Sequence, residues 1–151
     1  MMSKNLIAVI GGRHEGKPLL KEAEALGRLI AKKGFILITG GLSGVMRAVS
    51  KGAHSHGGIT VGILPQEHKG SANEYVSIPI ATGIGIARNA IIARTADAVI
   101  AIGGEYGTLS EIAFALQMGK PVIGIKTWDI KGVIKAKDAK EAVSNVMKLL
   151  S

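Results

Sequence analysis

The chain has no cysteine, which removes disulfides and thiolate chemistry from consideration and is compatible with a reducing cytoplasm. Aromatic residues are scarce at 3%, so a core must be filled by Ile, Val, Leu and Ala, the usual contents of α/β layers. No long apolar run is present. The five apolar residues that follow Met-Met-Ser-Lys-Asn are too few for a signal peptide or a membrane span, so a cytoplasmic location without membrane association is expected. A formal charge of +8 raises the question of nucleic acid. The basic residues are nevertheless dispersed, with no arginine-rich tract and no aromatic-interleaved patch, so no nucleic-acid partner is expected and the charge suits phosphorylated small molecules or a solvated exterior. No metal is expected either. Histidine-carboxylate clusters are missing, and His54 and His56 are two apart, a spacing that splits them between helix faces.

What remains is an apolar fraction of 47% in 151 residues, enough for a single domain over 1–151 with a core of its own. Leu6 to Ile10, Phe35 to Thr39 and Ile59 to Leu64 read as strands, the first of them buried, and Val99 to Ile102, an apolar run without polar alternation, reads as a strand covered on both faces. Tyr75 to Ile80 and Pro121 to Ile125 read as two more, the latter the last. Helices are expected from about Pro18 to Lys33, through Val45, Met46, Ala48 and Val49 with Ser43 as cap, and from Ile86 to Thr95. Another begins at Thr108, and Asp138 with Glu141 forms a capping box for a terminal helix to Leu150. Residues 127–137 read as a basic loop. Strands alternating with helices imply a Rossmann-like three-layer α/β domain with a mostly parallel, doubly wound sheet.

Paired glycines recur where strands end, at Gly11-Gly12, Gly40-Gly41 and Gly103-Gly104. In doubly wound sheets ligands bind beyond the carboxyl ends of the strands, so the three turns are expected to converge on one site. Gly103, Gly104 and Gly107 allow positive φ and close approach of a ligand, and the amides of Gly107 to Ser110 should face an anion from a helix N-terminus. Gly44 and Met46 belong to the second turn. Arg13 either reaches a phosphate or faces solvent. Tyr106 either stacks on a planar ring or covers its turn. Thr108 and Glu111 fit a capping box as well as they fit a site, whereas Arg88, among Ala87, Ala90, Ile91 and Ile92, reads as a partly buried, paired guanidinium.

The run Gly40-Gly41-Leu-Ser-Gly-Val-Met46, then Arg88, then Gly103-Gly104-Glu-Tyr-Gly-Thr-Leu-Ser-Glu111 resembles the Lonely guy and molybdenum-cofactor-carrier superfamily, whose members have often carried a lysine-decarboxylase label. No lysine is placed for a Schiff base, so pyridoxal-phosphate decarboxylation is not implied. The resemblance implies that Arg88 and Glu111 stand where the cytokinin-activating hydrolases keep catalytic Arg and Glu. The Lys that follows Arg in those enzymes is Asn89 here, and Gly103 replaces their proline. Arg-Asn is similar to the carrier-like branch, which holds a phosphorylated pterin.

The resemblance therefore implies a protein that binds a phosphorylated nucleotide-like or pterin ligand through Gly11, Gly12, Arg13, Gly40, Gly41, Gly44, Met46, Asn89, Gly103, Gly104, Tyr106, Gly107 and Thr108. The alternative is a nucleoside 5′-monophosphate phosphoribohydrolase using Arg88 and Glu111. No cofactor is required by the sequence, and the ligand is an AMP-like nucleotide or the molybdenum cofactor. By the same resemblance the chain is expected to form a homodimer or homotetramer, with the helix from Ile86 to Thr95 as the contact.

Overall fold

The computed structural model describes residues 4–151. Its elements run β1 (Leu6–Gly11), α1 (Lys17–Lys32), β2 (Ile36–Thr39), α2 (Val45–His54), β3 (Thr60–Leu64), β4 (Ile78–Ala81), α3 (Arg88–Thr95), β5 (Ala98–Ile102), α4 (Tyr106–Gln117), β6 (Val122–Ile125), β7 (Val133–Lys135) and α5 (Ala139–Leu150). All seven strands are parallel, in the order β4-β3-β2-β1-β5-β6-β7. The chain winds outward from β1 in one direction and then restarts at β5 on its other side. This three-layer α/β architecture is the one expected, and the winding reverses between β1 and β5.

Burial on both faces explains the unbroken apolar runs, because successive side chains of a strand point to opposite layers. Ile7 and Val9 of β1 pack with Leu26, Ile30 and Val49 of α1 and α2 and with Val143 of α5. Ala8 and Ile10 of the same strand pack with Ile92 of α3 and Ile112 of α4. Three helices thus cover one face and two the other.

The helices α1 and α2 are drawn together by two glycines. A Cβ on Gly27 would lie 1.9 Å from the Val49 carbonyl oxygen, and one on Gly52 would lie 1.9 Å from that of Glu24. Backbone therefore touches backbone there. In sequence a helical glycine reads only as a weak spot, and the contact leaves no local sign.

Several expected boundaries move. The residues 127–137 hold β7, a three-residue strand on β6; so short an element has no periodicity to show and is fixed by its partner. The fourth strand is Ile78–Ala81, not Tyr75 to Ile80, because the preceding chain is tied by Thr60, whose hydroxyl donates to the Tyr75 carbonyl at 2.6 Å. Ser43 does not cap α2. Gly44 holds that position with no side-chain bond, and the Val45 amide is met instead by the Gly12 carbonyl at 3.0 Å. Nor do Thr108 and Glu111 form a capping box: α4 starts earlier, at Tyr106 with Glu105 as cap, which leaves both inside the helix and buried. At α5, Asp138 does accept from the Glu141 amide at 2.9 Å.

Candidate functional site

A cleft of about 380 Å3 opens at the carboxyl ends of β1 and β5, where the winding of the sheet reverses. That is where two loops diverge to opposite faces and leave a crevice between them. Gly11, Gly12 and Arg13 line it from the β1 turn, Gly40 and Met46 from the β2 turn, Arg88 and Asn89 from α3, and Gly107, Thr108 and Glu111 from α4. The amides of Tyr106, Gly107 and Thr108 form the first turn of α4 and have no intrahelical acceptor. The set is shifted one residue earlier than expected, since Leu109 already donates to the Glu105 carbonyl at 3.0 Å.

Arg88 is 7% exposed and held by neutral groups. Its Nε donates to the Ile63 carbonyl at 2.8 Å, and Nη1 donates to Asn89 Oδ1. Asn89 in turn donates through Nδ2 to Ser110 Oγ at 3.3 Å, so a chain of polar contacts ties α3 to α4. The guanidinium occupies the space a side chain at position 40 would need, since a Cβ on Gly40 would lie 2.7 Å from Arg88 Nη2. Among the described residues the ion pairs are Arg47 with Glu74 and Lys135 with Asp129, both at the surface, so the charge of Arg88 has no carboxylate bound to it. Burial lowers the pKa of Arg88; the carboxyl of Glu111 opposes that effect, and the positive charge of Arg13 adds to it. Two cations therefore converge on the cleft.

Glu111, 8% exposed, has its pKa raised to about 8 by burial, against a smaller opposing pull from Arg88. At neutral pH the carboxyl is thus mostly protonated and sets no charge against the two arginines, although Glu15 and Glu105 line the same cleft. A neutral acid and two arginines beside free helix amides can hold an anion, and the acid can also donate a proton.

The other residues expected at the site are not brought into it. Gly41 turns its amide to Thr39 Oγ1 at 2.9 Å and packs on Leu64. Gly44 lies under the Arg13 backbone, where a Cβ would meet the Gly12 carbonyl at 2.3 Å. Gly103 donates to the Ile125 carbonyl at 3.1 Å, and Gly104 donates to Glu15 Oε1 at 2.9 Å. Tyr106 is 81% exposed and stacks over Trp128 with centroids 6.3 Å apart. It covers its turn. Gly107 does line the cleft, but in helical conformation, without the positive φ that Gly103 and Gly104 show. Conversely His14, Glu15, Pro65, Ile86 and Glu105 line the cleft unforeseen. For His14 and Glu15 the signal was their place directly after Arg13 in the loop leaving β1.

A profile of the SLOG cluster4 family matches residues 4–150. The chain belongs to the SLOG cluster4 family. It also falls within the wider Lonely guy and molybdenum-cofactor-carrier superfamily; an uncharacterised protein of Archaeoglobus fulgidus is 50% identical over 120 residues, 80% of this chain and 79% of its own. A probable cytokinin riboside 5′-monophosphate phosphoribohydrolase of Oryza sativa is 35% identical over 70% of this chain, and the match spans only 45% of the rice protein. Among solved structures, the molybdenum cofactor binding protein of Rippkaea orientalis superposes with a TM-score of 0.95 at 37% identity, over 100% of both chains. The SLOG cluster4 chain thus shares its whole length with the cofactor-binding structure and a segment with the hydrolase.

Proposed function

We propose that this chain binds a phosphorylated pterin of the molybdenum-cofactor type in the cleft between β1 and β5, as a carrier and not as a hydrolase. The observation that carries the reading is how Arg88 is held. A carbonyl and the Asn89 amide orient the guanidinium without neutralising it, so the charge stays available to a ligand anion. Asn89 is suited to this because its oxygen accepts from Arg88; a lysine there would set a second cation against the first. Arg13, Arg88 and the α4 amides then grip the phosphate, while Met46, Pro65 and Ile86 offer an apolar wall to the ring. The full-length likeness to the Rippkaea protein supports the same reading. The molybdenum is cargo carried on its pterin, not a group this chain ligates.

The raised pKa of Glu111 favours a second reading, an N-glycosidic hydrolase in which the protonated carboxyl delivers its proton to the departing base of a nucleoside monophosphate while water adds to the sugar carbon and loses its own proton to solvent. Equilibrium dialysis with the phosphorylated pterin, together with incubation of the protein with AMP and chromatography of released adenine, separates the two. Carriage gives saturable pterin binding, weakened at least about tenfold by Arg88→Ala, with no adenine released. Adenine release that Glu111→Gln abolishes would replace the carrier by the hydrolase.

A homodimer or homotetramer fits the exposed apolar side chains beside the two-helix face, Ile84 and Ile86 before α3, Ile91 on it and Phe114 on α4. Sedimentation of wild type and Ile86→Asp checks this, a monomer in both cases opposing it.

A further inference from the structure

Glu15 stands in the loop from β1 to α1, and its carboxylate is enclosed by glycine. A Cβ on Gly12 would lie 2.5 Å from Glu15 Oε1, and one on Gly103 would lie 2.7 Å from the same atom. The Gly104 amide donates to that oxygen at 2.9 Å across 89 residues of sequence. Two glycine turns that the sequence assigns to a ligand anion thus surround an anion the chain supplies itself. Among the described residues no cation forms an ion pair with Glu15, although Arg13 and Arg88 line the same cleft.

The placement has a chemical consequence. Gly104 lies two residues before the first turn of α4, so its amide adjoins the free amides of Tyr106 to Thr108. An incoming phosphate oxygen meets a donor already taken and a negative charge at the edge of its seat. A bare anion has little to set against that repulsion. A phosphate attached to a planar ring is positioned by the ring's contacts with Met46, Pro65 and Ile86, so that it skirts the carboxylate and the repulsion falls mainly on the bare anion.

We propose that Glu15 is a specificity-determining residue: its carboxylate, seated among Gly12, Gly103 and Gly104, keeps orthophosphate and similar bare anions out of the cleft and admits phosphate monoesters that carry a ring. The proposal rests on the phosphate-binding reading of the cleft and names how that binding is made selective.

Calorimetric titration of the purified protein with inorganic phosphate and, separately, with AMP as a ring-bearing monoester tests it in wild type, Glu15→Gln and Glu15→Ala. The glutamine variant keeps an acceptor for the Gly104 amide and loses only the charge; the alanine variant loses both. Circular dichroism and the thermal midpoint establish that each is folded. Inorganic phosphate should bind at least about tenfold more tightly to both variants, and the preference for AMP over inorganic phosphate should shrink by a similar factor. Unchanged or weaker phosphate binding in the two folded variants, or an equal gain for AMP, overturns the proposal, and weaker binding of both ligands would make Glu15 a ligand anchor or a loop clamp. Failure of wild type to bind the phosphorylated pterin, with AMP bound and phosphate tightening in the variants, would instead sink the carrier reading and leave the role of Glu15 standing.

Discussion

Glu111 is a carboxyl that folding makes a weaker acid, and the sign of its effect on stability follows. The folded state holds its proton up to about pH 8, whereas the unfolded chain releases it near 4.5. Between those values the folded state binds more protons, so stability falls as pH rises from about 4.5 to 8 and levels off above. Thermal midpoints across that range should decline in wild type, by the equivalent of a few kcal/mol in total, and the Glu111→Gln variant should lack this component. Ligand affinity should move the same way. A phosphate that stays a dianion from pH 7 to 9 should bind less well as Glu111 ionises beside it, and dialysis at the two pH values checks this. At Gly40 the requirement is space. Alanine there pushes on Arg88 Nη2 and on Met46 Sδ, at 2.7 and 2.8 Å from the new atom, so Gly40→Ala should weaken binding about tenfold while circular dichroism stays unchanged. The burial of Arg88 is legible from its apolar neighbours, whereas the burial of Glu111 is not. Sequence spacing presents Thr108 and Glu111 as a helix cap, and only the earlier start of α4 turns them toward the cleft.

Among the elements, α1 and α2 owe their contact to Gly27 and Gly52. Each admits the carbonyl of the facing helix at a distance no side chain tolerates. Gly27→Ala should raise intrinsic helix propensity and still lower stability, by about 1–3 kcal/mol, because the forced separation outweighs the propensity gain. A urea midpoint measures it. Asp138→Ala should cost about 1 kcal/mol by freeing the Glu141 amide. Strands and helices were readable because burial on both faces writes continuous apolar runs and amphipathic spacing. Their ends were less so. Ser43 looked like a cap from its residue type, yet the α2 amide is met by a carbonyl 33 residues away in sequence, at Gly12, and β7 exists only through its pairing with β6. Long-range partners of this kind leave no local trace.

At the scale of the whole molecule, the reversal of winding between β1 and β5 fixes where the cleft must lie, and the alternation of strand and helix was sufficient to anticipate it. The sequence suggested three converging glycine turns, and the fold brings two of them to the cleft wall by Gly11, Gly12 and Gly40 while the third encloses Glu15. Identical dipeptides after a strand can serve a ligand, a helix start or a neighbouring side chain, and residue type alone does not distinguish these. A formal charge of +8 should make ligand association weaken as salt is raised, beyond what the cleft arginines alone produce. Saturation at a hundred times Kd should raise the thermal midpoint by roughly 5–10 °C if the ligand binds only the folded state.

The single tryptophan, Trp128, donates from its indole nitrogen to the Glu105 carbonyl at 3.1 Å and lies against Tyr106. It is therefore tied to the start of α4, where Glu105, Gly107 and Thr108 line the cleft, without itself lining it. A natural fluorophore thus stands behind the loop that opens α4, so ultraviolet emission can register occupancy in unlabelled protein, and stopped-flow traces of that signal would time the arrival and departure of a ligand.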